Sequence, residues 1–314
     1  MDYLLPSTTE VPEIEVAHMD SVHRPQAAQA RSASSEQGGS RVIRRLDHII
    51  VCVHDRSQWL PRINRVLGLT AGRMLEGAGE GAGAFNNAEF AIGDGFLGVV
   101  EPSGASSQLH RFLARGGDGF YGMSIDVGDV AQTTAGWDAQ EVDYRGTPGQ
   151  GLVWLGPRRT HGVLYQVIDG MLLGQGANAN YRGLSSLTIA VSDAARAADD
   201  YATMFALGPP DEVVDDEHGG RGVSFRCANP HLGQRIFLLE PADDSGAIAG
   251  RLAERGEGIL ACGIAVADLD AELARLSRLG VATQTGHGPT GARRARIDRE
   301  ALAGLRIELD AAAP

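Results

Sequence analysis

Long apolar runs, cysteine and basic residues are all scarce in this chain of 314 residues. No apolar stretch approaches the roughly 18 residues a membrane helix needs, so no bilayer-spanning helix is expected. The N-terminus has no basic region leading into an apolar one, which argues against a secretory signal. The three cysteines, Cys52, Cys227 and Cys262, are scattered and free of any CxxC spacing. That speaks against a disulfide framework or a zinc ribbon and fits a reducing cytoplasm. Lys and Arg number 28 against 40 Asp and Glu, a net charge of -12, so neither nucleic acid nor an anionic membrane is an expected partner. GxSxG, HExxH and P-loop motifs are missing, and with them support for triad hydrolysis, zinc proteolysis or nucleotide hydrolysis. The GxGxxG match in GGDGFYG (116–122) precedes a strand instead of joining a strand to a helix, so a dinucleotide site is not expected.

What is present is order of another kind. Residues 1–42 are rich in Ser, Gln, Ala, Glu and Pro, too polar to repay their ordering entropy, and are expected to form a disordered arm. After them LDHIIVCVHD (46–55) reads as a buried strand with a histidine, His48, at its mouth. A histidine entering a sheet is ordinarily structural, and the rest of the chain must decide whether this one is.

An internal repeat bears on that decision. VVEPSGASSQLHRFLARGGDGFYGMSIDV (99–127) aligns without a gap on LLEPADDSGAIAGRLAERGEGILACGIAV (238–266), a period of 139 residues (240 − 101) from Glu101 to Glu240. LSSLTIAVSD (184–193) copies LDHIIVCVHD, and the helix-like segments that follow, 56–69 and 195–208, both run into Leu-Gly, read as C-terminal glycine caps. A shorter period lies inside each half, giving four units of strand, helix and about three strands. The expected class is α+β, with tandem βαβββ units in two domains, 43–172 and 184–314, joined by a linker at 173–183.

The strand LDHIIVCV, the LGL after the next helix, the VVEP strand and GEG before an apolar strand resemble the vicinal oxygen chelate superfamily of glyoxalase, bleomycin-resistance, methylmalonyl-CoA epimerase and extradiol dioxygenase proteins. The resemblance spans about residues 43–311 and implies a fold more than an activity, since one scaffold hosts many chemistries. It implies a divalent metal held in a half-barrel by residues from the first and last strand of each unit. His48, Glu101, Gln166 and Glu308 are the implied ligands, with Glu240 at the third unit's carboxylate position. The histidine positions of the later units fall on Gly122, Ser186 and Ala261. Pairing of units in chain order would group His48, Glu101 and Gln166, whereas pairing of the outer units would bring Glu308 to His48 and Glu101. Glu101, Glu308 and Tyr121 are the candidate catalytic groups.

His110, His161, His218, His231 and His287 show no ligand spacing. GAGEGAG (77–83) reads as a flexible hairpin loop. The resemblance supports three functions: a metal-assisted isomerase or lyase acting on a small oxygenated substrate, a metal-free protein that sequesters a small molecule, and a ring-cleaving dioxygenase. The first is favoured, and the third is weakened by Ser186 and Ala261 at histidine positions. The sequence leaves a homo-oligomer open.

Overall fold

The computed structural model describes residues 43–79, 81–170, 179–228 and 233–312. The expected arm, most of the linker and His231 lie outside them. The first unit is β1 (Arg45–Cys52), α1 (Arg56–Leu67), β2 (Arg73–Ala78), β3 (Phe85–Ile92) and β4 (Gly95–Pro102). A linking helix, α2 (Leu109–Gly116), leads to the second unit: β5 (Gly119–Asp126), α3 (Val130–Asp138), β6 (Tyr144–Thr147), β7 (Leu152–Leu155) and β8 (Leu164–Ile168). The second half repeats this order. Its first unit is β9 (Tyr181–Ala190), α4 (Ala194–Met204), β10 (Asp211–Asp215), β11 (Gly220–Arg226) and β12 (Arg235–Pro241). The linking α5 (Ala247–Arg255) precedes β13 (Gly258–Val266), α6 (Leu269–Arg278), β14 (Thr283–His287), β15 (Arg293–Ile297) and β16 (Ile307–Ala311).

Each half forms one eight-stranded sheet, ordered β2-β3-β4-β1-β5-β8-β7-β6 and β10-β11-β12-β9-β13-β16-β15-β14. The duplication read from the repeat is therefore the architecture, and units pair in chain order. The four unit helices start the same way. Asp55, Asp129, Asp193 and Asp268 each cap a first turn, accepting from the amides of Ser57, Gln132, Arg196 and Ala271 at 2.8 to 2.9 Å. This is the acidic turn that follows each strand in sequence.

The Leu-Gly stops differ between halves. Gly68 ends α1 at φ 65°, the left-handed conformation glycine adopts without a Cβ penalty. In the second half α4 ends at Met204, four residues before Gly208, and Ala206 takes the positive φ of 44°. That Leu-Gly is not a helix cap.

One face of each sheet, together with the unit helices, joins a single core running through both halves, from Leu46, Ile49 and Val51 to Leu187, Ile189 and Leu309. Polar side chains stitch the halves together. Gln234, fully buried, accepts from Leu46 N at 2.9 Å and donates to the carbonyls of Leu46 and Leu184 at 3.0 and 2.8 Å. Trp137 donates its indole N–H to Met204 O at 2.7 Å. The opposite faces form two cups, floored by α2 in the first half and α5 in the second. No described helix is long and apolar enough to cross a membrane.

Candidate functional site

In the first cup a row of side chains crosses the sheet. Register sets His48 beside Phe96 on β4 and Ser124 on β5, then Ser124 beside Gln166 on β8, and Gln166 beside Trp154 on β7. His48 is only 4 % exposed and stacks on Phe96, with ring centroids 3.9 Å apart. The ladder between β1 and β5 shifts register between Leu46 and His48, a bulge at Asp47. Its carboxylate therefore reaches the neighbouring ring: Asp47 Oδ2 lies 2.9 Å from His48 Nδ1. Asp47 Oδ1 in turn accepts from Arg45 at 2.6 Å, and Arg45 is tied to Asp94 at 2.9 Å. A carboxylate only accepts, so the proton sits on Nδ1 and Nε2 is the free nitrogen. Among the described residues no hydrogen bond reaches Nε2, while the half-buried carboxylate of Glu89, on β3 and the same face, interacts with the ring electrostatically. Close by in the row, Ser124 Oγ and Gln166 Oε1 are buried without partners among the described residues.

Tyr121 belongs to the same cup. A second register shift, between Ile50 and Val51, bulges it toward the floor, where it packs edge-on to Phe112 at 5.1 Å, near Ile50, Cys52 and Leu113. Burial raises its phenol, Cys52 adding to the effect, so it remains a protonated donor.

Glu101 is elsewhere. Phe96, Gly98 and Val100 share the face of His48, while Leu97, Val99 and Glu101 take the other. Glu101 Oε2 accepts from Arg56 N at 2.7 Å and its Oε1 from Asn86 at 3.0 Å, securing the start of α1. Glu240 does the same for α4, accepting from Ala194 N at 2.9 Å. The expected meeting of His48 and Glu101 at one point therefore does not occur, because strand parity separates them. The repeat of Glu-Pro reflects a repeated helix start.

Glu308 occupies in the second cup the place of Gln166 in the first, since Ser186 pairs with Gly263 and Gly263 with Glu308. It does not converge with His48, because the outer units do not share a sheet. Glu308 is 1 % exposed, with Arg294 Nη1 at 2.6 Å and His218 Nε2 at 3.0 Å. Arg294 Nε also bonds Asp310 at 2.6 Å, and Asp215 Oδ2 lies 2.7 Å from His218 Nδ1. Burial opposes charge on both Glu308 and His218, and their partners prevail. Arg294 and His218 hold Glu308 below its ordinary carboxylate value, while Asp215 and Glu308 push His218 up to about 9. His218, without ligand spacing in sequence, is thus the cation of a buried network. Only Asp215, three residues before it at the end of β10, offered a signal.

A divalent ion suits neither cup. In the second, Glu308 already faces two cations, and Ser186 and Ala261 supply no imidazole. In the first, His48 could offer Nε2 and Gln166 a carbonyl oxygen, but Glu101 faces away and the carboxylate on this face, Glu89, is already engaged by Asn87 at 3.2 Å and Arg73 at 3.8 Å. At Gly122 even a methyl group would lie 2.6 Å from the Leu164 carbonyl oxygen, so no ligand side chain fits there. Among the described residues no group of three His, Cys, Asp or Glu is placed to hold a metal.

Comparison with known proteins places this fold. The sequence profile of the Glyoxalase/Bleomycin resistance protein/Dioxygenase superfamily matches residues 187–297. A mutant of 4-hydroxymandelate synthase from Streptomyces coelicolor superposes with a TM-score of 0.69 at 15% identity, over 86% of this chain and 93% of that one. BphC, a halotolerant catechol dioxygenase, gives 0.61 at 13% identity, over 88% and 90%. Methylmalonyl-CoA epimerase from Mycobacterium tuberculosis is 32% identical over 44% of this chain and 93% of that one, with a TM-score of 0.40. No curated protein matches in sequence. The chain belongs to the glyoxalase, bleomycin-resistance and dioxygenase superfamily, the vicinal oxygen chelate proteins.

Proposed function

We propose that the chain is an enzyme that moves a proton on a small oxygenated substrate, an isomerase or lyase reaction, with His48 as the base. The observation that carries this reading is the pairing of His48 Nδ1 with the buried Asp47 carboxylate at 2.9 Å, which frees Nε2 in a cup holding other unpartnered polar atoms. Nε2 takes a proton from the carbon next to a carbonyl group, and Asp47 stabilises the imidazolium that forms. The Ser124 hydroxyl and the Tyr121 phenol are the donors available to a developing enolate oxygen. Return of the proton to another position completes an isomerisation, and loss of a leaving group from the enolate completes an elimination. The donor set does not fit a divalent ion, and no step is assigned to one.

The apolar floor around Tyr121, with Phe85, Phe112 and Trp154, favours a second reading, sequestration of an aromatic or oxo compound without turnover. Proton NMR in deuterated buffer separates the two across a panel of small oxo and acyl compounds. An enzyme exchanges the proton next to the carbonyl for deuterium, and a binder perturbs ligand signals without exchange.

A further inference from the structure

The second cup, apart from the His48 cup, opens into a cleft of about 420 Å³, within the range of roughly 300–1,000 Å³ typical of small-ligand sites. Its walls include Arg296, Arg299, Arg306 and Gln284, with His218 and Glu308 at its base. The charges at the base are spent on each other, since Glu308 is held by Arg294 and His218. Arg296 is fixed too, donating to Glu217 O and to Gln284 Oε1, both at 3.0 Å.

Arg299 and Arg306 are different. Register between β15 and β16 pairs Arg294 with Asp310 and Arg296 with Glu308, so its extension sets Arg306 opposite Asp298. That pair does not close. Asp298 instead caps the 3-10 turn Arg299–Leu302, accepting from Glu300 N at 3.2 Å. Arg299, on this turn, and Arg306 both line the cleft, and among the described residues no ion pair engages either guanidinium. Burial lowers the Arg306 guanidinium below its ordinary value and Arg299 lowers it further, while Glu308 opposes this and Arg296 and Glu254 have smaller effects of opposite sign. Two like charges are thus held at one cleft in a protein of net charge -12. An anion there would gain charge-assisted, planar hydrogen bonds and relieve the repulsion.

We propose that this cleft binds a small organic oxyanion, a carboxylate or a phosphate ester, through Arg306 and Arg299, with Arg296 and Gln284 along its wall. The site rests on the second half alone and is independent of the role given to His48.

Isothermal titration calorimetry on the full chain tests it, with malonate and inorganic phosphate as probes. Saturable binding of at least one probe is expected, weakened tenfold or more by Arg306→Gln and by Arg299→Gln but not by Arg158→Gln on an exposed loop. Preference for malonate identifies the carboxylate as the ligand chemistry, and preference for phosphate identifies the ester. Arg299 is exposed, so its variant keeps the test valid if Arg306→Gln fails to fold. Absence of saturable binding for both probes, or binding that the Arg299 variant leaves unchanged, overturns the proposal.

Discussion

His48 Nδ1 lies 2.9 Å from the carboxylate of Asp47, its own neighbour in the chain. A regular strand would send the two to opposite faces, and the bulge at Asp47 brings them to one side. The pair is thus built by an irregularity of the backbone. Asp47→Asn replaces an acceptor with a group that can hold the ring in the wrong tautomer, and turnover of an identified substrate is expected to fall by roughly 10²–10⁴. Steady-state kinetics should show the loss in kcat, with KM little changed. An unchanged kcat would remove Asp47 from the mechanism.

Glu101 and Glu240 serve helix starts, and that role differs measurably from metal ligation. Each alanine variant should lower stability by about 1 kcal/mol, the cost of a lost first-turn acceptor, whereas glutamine, which keeps an acceptor oxygen, should recover most of it. Chemical denaturation gives the energies. Turnover that survives Glu101→Ala would agree with its place on the face opposite His48.

The network around His218 makes stability depend on pH in a definite direction. With its folded value raised to about 9, His218 contributes fully below its unfolded value near 6.5, and the contribution is lost as pH rises through 9. Glu308, lowered, contributes above its unfolded value near 4.5 and loses that contribution as pH falls through its folded value. The unfolding midpoint should therefore decline between pH 6.5 and 9.5, with up to about 3 kcal/mol at stake. In His218→Gln the alkaline slope should flatten. A wild-type midpoint independent of pH across that window would mean the imidazole is neutral in the fold.

Gln234 holds the two halves together at the bulge. It bonds both Leu46 N and Leu46 O, one residue before the bulge, and the carbonyl of Leu184. Gln234→Leu leaves these buried groups unpaired and should cost roughly 2–4 kcal/mol. Hydrogen exchange at the Leu46 amide should rise well above that of neighbouring β1 amides. Protection equal to the wild type would show that the groups find other partners.

Much of the architecture was legible because it is written twice. The 139-residue period from Glu101 to Glu240 and the aspartate after each strand mark four units, and all four aspartates cap helices. The site was less legible, for physical reasons. β1 and β4 are buried on both faces, so hydrophobic alternation could not say which side Glu101 takes. The pairing of Asp47 with His48 depends on a bulge, which has no residue signature of its own. The cluster of Asp215, His218, Arg294, Glu308 and Asp310 draws on β10, the turn after it, β15 and β16, with nothing in sequence spacing to join them.

The role of His48 as a proton-moving base is tested most directly by comparing wild type and His48→Gln in deuterated buffer. Deuterium incorporation next to the substrate carbonyl is followed by NMR, and ligand affinity is measured on the same samples. Removal of a base that touches the reacting proton should slow exchange by at least roughly 10²-fold while affinity changes only slightly. Exchange at the wild-type rate in His48→Gln would contradict the account and leave His48 a buried structural histidine stacked on Phe96.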